Sequence, residues 1–433
     1  MSKYDKASLV HIPSGYKNGT LYNVLPNDAD GDFDFTRGST ATRVNKDGLI
    51  ETIATGTPRL DYPLLDGVVQ DNPTLLLEPS RTNRITDTEG WSGFSTVEAA
   101  LSDNTSITAP DGSATGIKTL TSSSTSQPRI EWRGIAVPST TTTYVWSVFV
   151  KKGTTRYVAL SHFSDDTQWA VFDLDNGVIQ DEAGSDAPAK IENYGNGWYR
   201  ISKGATITTG QTLNYFKLTI ATPSSPSVGV SGETVNIWGF QIEIGLYLSS
   251  FIPTTTVGSI TTRSADVCNG AEADFNDSEG VLYANIAALV NDQTQRFISI
   301  SDASEENRVS IRYHGTQSNS INFNLRAANS SVIGSTFILN DITNFSKVAF
   351  KYKSIGSAIF IDGFKKTDLT QSFVFDDNLD TLSFDRGDGG LDFYGKTKEV
   401  IAFNEALSDT ELEALTSYDS FTEMATEQLY TIE

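Results

Sequence analysis

The sequence is poor in the residue types that form covalent cross-links and transition-metal sites. Its 433 residues include one cysteine, three histidines and two methionines. A single cysteine, Cys268, excludes an intramolecular disulfide framework and a cysteine zinc site. The histidines, His11, His162 and His314, lie far apart in sequence, which disfavours a histidine metal centre or a Ser-His-Asp relay. We therefore expect no chemistry that depends on thiols or on clustered imidazoles.

Positive charge is also scarce. Lysine and arginine together number 32 and aspartate and glutamate 54, so the net charge is 32 − 54 = −22. Lys and Arg are the residues that bind phosphate backbones and anionic headgroups, so this balance disfavours nucleic-acid partners and adsorption to membranes. Much of the negative charge falls in loops between short strands, which suits subunits that stay soluble by mutual repulsion.

Long apolar runs are absent too. No run approaches the ~20 residues that span a bilayer, and the apolar patch at residues 7–12 is short and interrupted by His11. We therefore expect no membrane insertion and no signal peptide, and a product assembled in a host cytoplasm.

Short alternating runs bounded by Gly, Asn, Asp, Ser and Thr take the place of helical periodicity, which predicts an all-β fold. About eight strand patterns in the middle of the chain are typical of a jelly roll or sandwich. A second series ends in the capping box of Ser408 and Glu411, the best helix signal. The predicted divisions are an N-terminal region at 1–85, a β-sandwich at 86–252, a linker at 253–265, a second β-sandwich at 266–416 and a tail at 417–433.

The N-terminal region is dense in turn residues and short of apolar material. Asp47-Gly48 is a favoured hairpin turn between two short strands. Because such a segment buries little surface by itself, we expect it to pack on a partner chain.

Three groups of segments carry a resemblance. The first group comprises residues 35–44, 47–50, 58–62 and 75–83. The second comprises residues 241–243, 250–254 and 262–266. The third comprises residues 280–283, 359–363 and 398–408. The first group resembles the N-terminal module of virion fibre and structural proteins of tailed bacteriophages, of the crAss-like or Bacteroidetes-infecting kind. The second is similar to the segment that closes a carbohydrate-module-like sandwich in the same proteins. The third is similar to concanavalin A-like (laminin-G-like) lectin domains.

The resemblance implies a structural fibre or decoration subunit of a virion, on the head or on a tail appendage. It implies a homotrimer, attachment to other virion proteins through the N-terminal region, and lectin-like domains that meet host surface glycans. Fibres of this kind assemble by symmetric packing of identical chains. The resemblance implies no catalysis, and no catalytic residue is predicted.

The alternative is a glycan depolymerase on the virion. Glucanases of the concanavalin A-like fold carry an E-x-D-x-x-E motif, and the nearest match here is Glu272, Asp274 and Asp277, with Asp in the last place. A glycosidase needs two carboxylates at a defined separation. The match falls at the entrance of the second sandwich rather than on a central strand, so a solvated acidic loop is the simpler interpretation.

Carbohydrate binding by stacking requires exposed aromatic rings. Four aromatics sit in or near turn-rich sequence and are the predicted carbohydrate-binding residues: Trp91, Trp132, Trp169 and Tyr194. Three other tryptophans lie on strand patterns and are predicted core residues: Trp146, Trp198 and Trp238.

Calcium is the one possible cofactor, because a hard cation takes six to eight oxygen ligands from carboxylates and carbonyls. The candidate ligands are Asp385, Asp388 and Asp392, around a glycine-rich turn. Residues 28, 30 and 32 and the pair at 165 and 166 are weaker alternatives, since glycine–aspartate turns are commonly only turns.

Overall fold

The computed structural model describes residues 4–27, 30–134, 138–162, 167–210, 215–254, 256–420 and 422–424. The fold is all-β, as predicted, and its sheets are antiparallel. The N-terminal strands are β1 (Ala7–His11), β2 (Tyr16–Lys17), β3 (Thr20–Leu21), β4 (Phe33–Thr36), β5 (Ala41–Val44), β6 (Ile50–Ile53), β7 (Leu60–Asp61), β8 (Leu64–Leu65), β9 (Val68–Val69), β10 (Thr74–Leu77) and β11 (Arg81–Asn83). Across the described ranges, no helix is long and apolar enough to cross a bilayer.

The middle of the chain forms the first sandwich. Its strands are β12 (Phe94–Val97), β13 (Ala99–Asp103), β14 (Lys118–Ser122), β15 (Arg129–Trp132), β16 (Thr142–Lys152), β17 (Tyr157–His162), β18 (Trp169–Asp173), β19 (Val178–Ala183), β20 (Ala187–Asn193), β21 (Trp198–Ile207), β22 (Phe216–Ile220) and β23 (Thr234–Ile244). They form two sheets, in the orders β12-β15-β22-β17-β18-β19 and β13-β14-β23-β16-β21-β20. Alternate residues such as Trp146, Leu160 and Phe172 meet in the core between the sheets.

The remaining elements form the second sandwich and its entrance. They are β24 (Thr261–Arg263), β25 (Val267–Asn269), β26 (Ala271–Glu272), β27 (Glu279–Ala288), β28 (Arg296–Ser301), β29 (Arg308–Tyr313), β30 (Ser320–Ala327), β31 (Ser330–Ile338), β32 (Ser346–Lys353), β33 (Ser357–Ile361), β34 (Phe364–Leu369), β35 (Thr381–Ser383), β36 (Gly395–Phe403) and α1 (Asp409–Thr416). One sheet has the order β34-β33-β32-β27-β36 and continues into β10 and β7; the other has the order β26-β35-β28-β29-β30-β31.

Helix α1 covers the outer face of the β27–β36 sheet. The Ser408 hydroxyl accepts a hydrogen bond from the Glu411 amide at 3.3 Å, and the Glu411 carboxylate accepts one from the Ser408 amide at 2.9 Å. The capping box is thus confirmed. Leu412 and Leu415 are buried against Phe360 and Ile401 of the sheet, so the helix both begins and packs where its sequence indicates.

The N-terminal region is built into the second sandwich rather than standing apart from it. Strand β1 pairs with β36, with Val10 opposite Ile401, and β10 pairs with the same edge of β36, with Leu75 opposite Thr397. Phe33 is buried in the core shared with the β28–β31 sheet. The apolar side chains expected to pack on a partner chain are therefore largely buried against their own chain, because β36 leaves an open edge that only distant strands can complete.

The last part of the predicted linker is paired into a sheet. Within it, β24 pairs with β11, so that Arg263 lies opposite Arg81. Phe251 and Ile252, just before it, are buried. Arg263 itself is almost fully enclosed, which means that this part of the chain cannot act as a flexible tether between the sandwiches.

A buried ionic cluster explains this arrangement. We call it the junction network, and its members are Arg37, Arg59, Glu78, Arg263 and Asp266. Arg59 lies between the Glu78 and Asp266 carboxylates and contacts both. Arg263 lies 2.8 Å from Glu78, and Arg37 lies 3.1 Å from Asp266. Every side chain of the network is at most 4% exposed. The charges are paired because unpaired ions at such depth would cost several kcal/mol each.

Backbone groups complete the junction network. The Ser250 amide donates to Glu78 at 2.9 Å, and the Glu78 amide donates to Asp266 at 2.8 Å. Arg37 donates to the carbonyl oxygens of Ala54 and Thr57. Burial alone would raise the pKa of Glu78, but Arg263 and Arg59 hold that pKa well below its usual range. The network therefore joins the N-terminal region, the end of the first sandwich and the entrance of the second.

Replacing Glu78 by Gln is expected to destabilise the fold by ~3–5 kcal/mol, since the change leaves buried arginines without their counter-ion. Urea unfolding measures the loss. The matched control is Glu405→Gln, which removes one partner of the exposed pair with Lys6 and should cost less than ~1 kcal/mol. Equal, small losses in the two variants would show that the network contributes little.

Acid should weaken the protein through the same glutamate. Because the pKa of Glu78 is depressed in the folded state, the unfolded state binds the extra proton, and stability falls as pH drops below the ordinary glutamate value of 4.5. The difference in unfolding free energy between the wild type and Glu78→Gln should therefore narrow steadily below that pH. A constant difference between pH 6 and pH 3 would contradict the assignment.

Candidate functional site

Two of the four predicted carbohydrate-binding aromatics are buried. Trp91 is 4% exposed and Trp132 is 5% exposed. Their rings lie on either side of Phe94, each with its centroid 5.0 Å from that ring, and the Trp91 indole nitrogen donates to the Gly116 carbonyl at 2.8 Å. The prediction of exposed rings at these positions is wrong. Trp91 lies in a turn that folds over the sandwich core, and Trp132 ends strand β15 with its ring in that core.

The other two aromatics are partly exposed but lie on different surfaces. Trp169 packs on Val171 on the outer face of the β17–β18 sheet. Tyr194 meets Phe149 edge-on at 5.0 Å and lines a cavity of about 340 Å³ with Arg200, and burial raises its pKa. The structure thus does not assemble the four predicted residues into one binding platform. Trp146, Trp198 and Trp238 are buried, as predicted.

The three predicted calcium ligands each have another partner. Arg386 contacts the Asp388 carboxylate through two nitrogens, at 2.5 and 3.0 Å, and holds the pKa of that carboxyl below its usual value. Asp392 accepts a hydrogen bond from the Tyr394 hydroxyl at 2.8 Å. Asp385 accepts one from the Gly387 amide, and burial raises the pKa of its carboxyl. Among the described residues, no group of three or more His, Cys, Asp or Glu side chains could hold a metal ion.

The weaker calcium candidates likewise form no metal site among the described residues. Residues 28, 165 and 166 lie outside the described residues, and Asp32 caps the Asn23 amide at 2.7 Å. Of the glucanase-like match, Glu272 is exposed on β26, and Asp277 accepts a hydrogen bond from the Leu379 amide at 2.8 Å. The acidic match thus lies at the entrance of the second sandwich, as its sequence position indicates.

The outer side of the β28–β31 sheet carries a polar surface that the sequence analysis did not select. We call it the arginine face, and its members are Phe297, Arg308, Arg312, Asn322, Asn324 and Arg326. Val309, Ile311 and Tyr313 belong to the core. The alternation of side chains along a strand therefore directs Arg308 and Arg312 to the opposite side.

Two rungs of the sheet build the face. Arg308 lies directly opposite Arg326, and Arg312 lies directly opposite Asn322. The Asn322 side-chain oxygen accepts a hydrogen bond from Arg312 Nε at 2.9 Å, and its amide nitrogen donates to Thr336 Oγ1 at 2.9 Å. The amide side chains thereby fix one arginine and extend the polar surface to β31.

The Phe297 ring lies close to the guanidinium groups of both arginines on β29. The guanidinium carbons of Arg312 and Arg308 lie 5.0 and 5.6 Å from the centre of the Phe297 ring. Such contacts keep a cation in place without neutralising it. Burial and the charges of Arg326 and Arg386 together lower the pKa of Arg308 to about 10; burial also lowers the pKa of Arg312.

The sequence did contain a signal for this face. Residues 308–312 read R-V-S-I-R and residues 322–326 read N-F-N-L-R, and both lie on segments predicted as strands. The period-2 pattern separates an apolar side from a polar side. The sequence does not show that the two strands pair, which brings their polar sides together. It also does not show where the nearest carboxylates lie.

Comparisons with known proteins give no family. No protein-family model matches the chain, and no curated protein matches it significantly. Among solved structures, the sialidase carbohydrate-binding module CBM40 of Ruminococcus gnavus, bound to α2,3-sialyllactose, is 16% identical with a TM-score of 0.27, covering 33% of this chain and 84% of that one. A leech intramolecular trans-sialidase is 19% identical with a TM-score of 0.27, covering 34% and 24%.

A third solved structure is the SAP-like pentraxin of Limulus polyphemus, which is 13% identical with a TM-score of 0.25 and covers 33% of this chain and 71% of that one. Each of these likenesses extends over about a third of this chain. They carry no conclusion about its function.

Trp91→Ala should cost ~3–5 kcal/mol, the usual range for deleting a buried aromatic. Trp169→Ala is the matched control and should cost clearly less, because its ring is partly exposed on an outer sheet face. Urea unfolding of both variants measures the difference. A loss at Trp91 no larger than that at Trp169 would show that the Trp91 ring is not part of the core.

Proposed function

We propose that this chain is a carbohydrate-binding structural subunit of a phage virion, a fibre or decoration protein that displays its second sandwich to host surface glycans. The observation that carries the glycan-binding part is the arginine face. Sugar hydroxyls are bound by planar amide and guanidinium groups held in fixed positions. Arg312, which is fixed by Asn322, and Arg326 present guanidinium groups on paired strands. The Asn322 and Asn324 side chains are 5% and 6% exposed and hold β30 to its neighbouring strands.

The structural part of the proposal rests on the resemblance of the sequence motifs to fibre proteins. Those motifs supply all members of the junction network, which ties the N-terminal region to both sandwiches. A subunit held together in this way suits a particle appendage, because one display face is positioned relative to an attachment region. The surplus of 22 negative charges favours solubility of such a subunit.

A glycan array tests the binding function. The wild type is expected to bind a subset of host surface glycans, and a bulky residue at Gly334 on β31 should reduce that binding. Gly334 is exposed, and a side chain added there would meet only the Asn324 amide, at 4.0 Å. Gly334→Tyr therefore covers the face without straining the backbone.

The matched control for that array is Gly15→Tyr, placed in the N-terminal region where an added side chain meets Tyr22 at an ordinary 3.5 Å. It should leave binding unchanged. An array on which the wild type binds no glycan, with or without calcium, would contradict the proposed function. Equal binding by the wild type and Gly334→Tyr would move the site away from this face.

Light scattering after size exclusion tests the appendage role. A homotrimer should elute with three times the chain mass of 47.0 kDa, since fibres assemble from identical chains by symmetric packing. The assembly should be sensitive to acid, salt or chelator, because carboxylates brought together in a trimer repel one another unless cations, lysines or arginines lie between them. A stable monomer at micromolar concentration would contradict the fibre assignment.

A further inference from the structure

We propose that the arginine face selects acidic polysaccharides, whose carboxylate or sulfate groups bind Arg312 and Arg326, with the buried charge of Arg308 adding to the attraction. This inference rests on the proposed glycan-binding function and specifies the class of glycan. It follows from the partners of the three arginines, from their register, and from their spacing along the sheet.

The three arginines have no acidic partner. Within the described part of the chain, no carboxylate lies within the 4.0 Å salt-bridge distance of Arg308, Arg312 or Arg326. Glu305, three residues before Arg308, pairs with Arg386 at 2.9 Å and accepts a hydrogen bond from Arg308 only through its backbone carbonyl. In a chain with 54 acidic residues, this leaves a positive surface that an external anion can neutralise.

The register of the sheet adds like-charge repulsion. Arg308 and Arg326 lie directly opposite each other on β29 and β30, an arrangement that destabilises an antiparallel pair. Burial and the charges of Arg326 and Arg386 lower the pKa of Arg308. Selection for stability alone would favour an acidic residue opposite one of these arginines. A bound anion would offset the repulsion in the same way that such a residue would.

Two arginines of the face are accessible. Arg312 and Arg326 are partly exposed, whereas Arg308 is 4% exposed and its Nε, which has no hydrogen-bond partner among the described residues, is buried. Arginine presents a planar fork of donors that matches carboxylate and sulfate geometry. Arg312 is already oriented by Asn322 and by the Phe297 ring, which lowers the entropy lost on binding.

The spacing of the arginines favours a polymer over a single sugar. Arg312 faces Asn322 on β30, and Arg326 lies four residues further along that strand with its guanidinium turned to Asn329. The two partly exposed arginines are therefore separated along the sheet by about 13 Å at ~3.3 Å per residue. One monosaccharide does not reach both positions, whereas a chain with repeated acidic groups does. Nucleic acid also repeats its charges, so single-stranded DNA is the competing polyanion in the test below.

Matched polysaccharides test the inference on the full chain. The probes are dextran and dextran sulfate, which share a backbone, and polygalacturonate with its methyl ester, which lacks the free carboxylate. We expect dextran sulfate and polygalacturonate to bind at least about tenfold more tightly than their uncharged counterparts. Their affinity should fall as salt rises, because added ions screen the charges.

Variants assign that binding to the face. Arg312→Gln and Arg326→Gln should each weaken binding of dextran sulfate several-fold, whereas Arg156→Gln should not. Arg156 is the matched control because it lies on the first sandwich and pairs with Asp173 at 2.6 Å. Arg326→Gln should melt at the same or a higher temperature than the wild type, since it removes one of two opposed charges, so unfolding would not explain its weaker binding.

The outcomes separate the two proposals. Equal binding of charged and uncharged probes would overturn the selectivity for acids and leave glycan binding standing. Selective binding that Arg312→Gln and Arg326→Gln leave intact would overturn the role of this face. Single-stranded DNA that binds as tightly as dextran sulfate would show a general polyanion surface and overturn the assignment to polysaccharides. Failure of every saccharide, including the host glycans of the array, would contradict the proposed function itself.

Discussion

The fold depends on one set of buried ion pairs. Three guanidinium groups and two carboxylates are enclosed at the junction of the N-terminal region and both sandwiches, and each is stable there only because its partners are in place. Arg59 requires Glu78 and Asp266 at once, and these three residues come from three separate segments of the chain. Burial of the charges therefore sets the position of each segment relative to the others, more specifically than apolar contacts could.

The network also explains why the most recognisable motifs are not a functional site. Five charged residues of those motifs form the network, and their polar groups are occupied by one another and by backbone groups such as the Ser250 amide. Residues of this kind support a fold rather than bind a ligand. A functional site has to be sought where polar groups are held in place and still lack partners.

Local sequence patterns predicted the elements and missed their partners. Strand β29 and the capping box at Ser408 follow from alternation and from side-chain chemistry within a few residues. The pairing of β1 and β10 with β36 joins residues more than 300 positions apart, and nothing local specifies it. Trp91 was misjudged for the same reason, since its turn is exposed in sequence context but is covered by distant strands.

Two groups of three arginines show how stability and binding separate in one chain. In the junction network the guanidinium groups meet carboxylates, and the charges cancel. On the arginine face Arg308 and Arg326 oppose each other, and the nearby carboxylate of Glu305 is taken by Arg386. Both groups lie on strands or directly beside them, since Arg37 follows β4 and Arg59 precedes β7, so local packing does not distinguish them. The absence of a counter-charge distinguishes them. An anion that binds there would reduce the repulsion between the fixed arginines, so the repulsion that destabilises the free protein would favour binding.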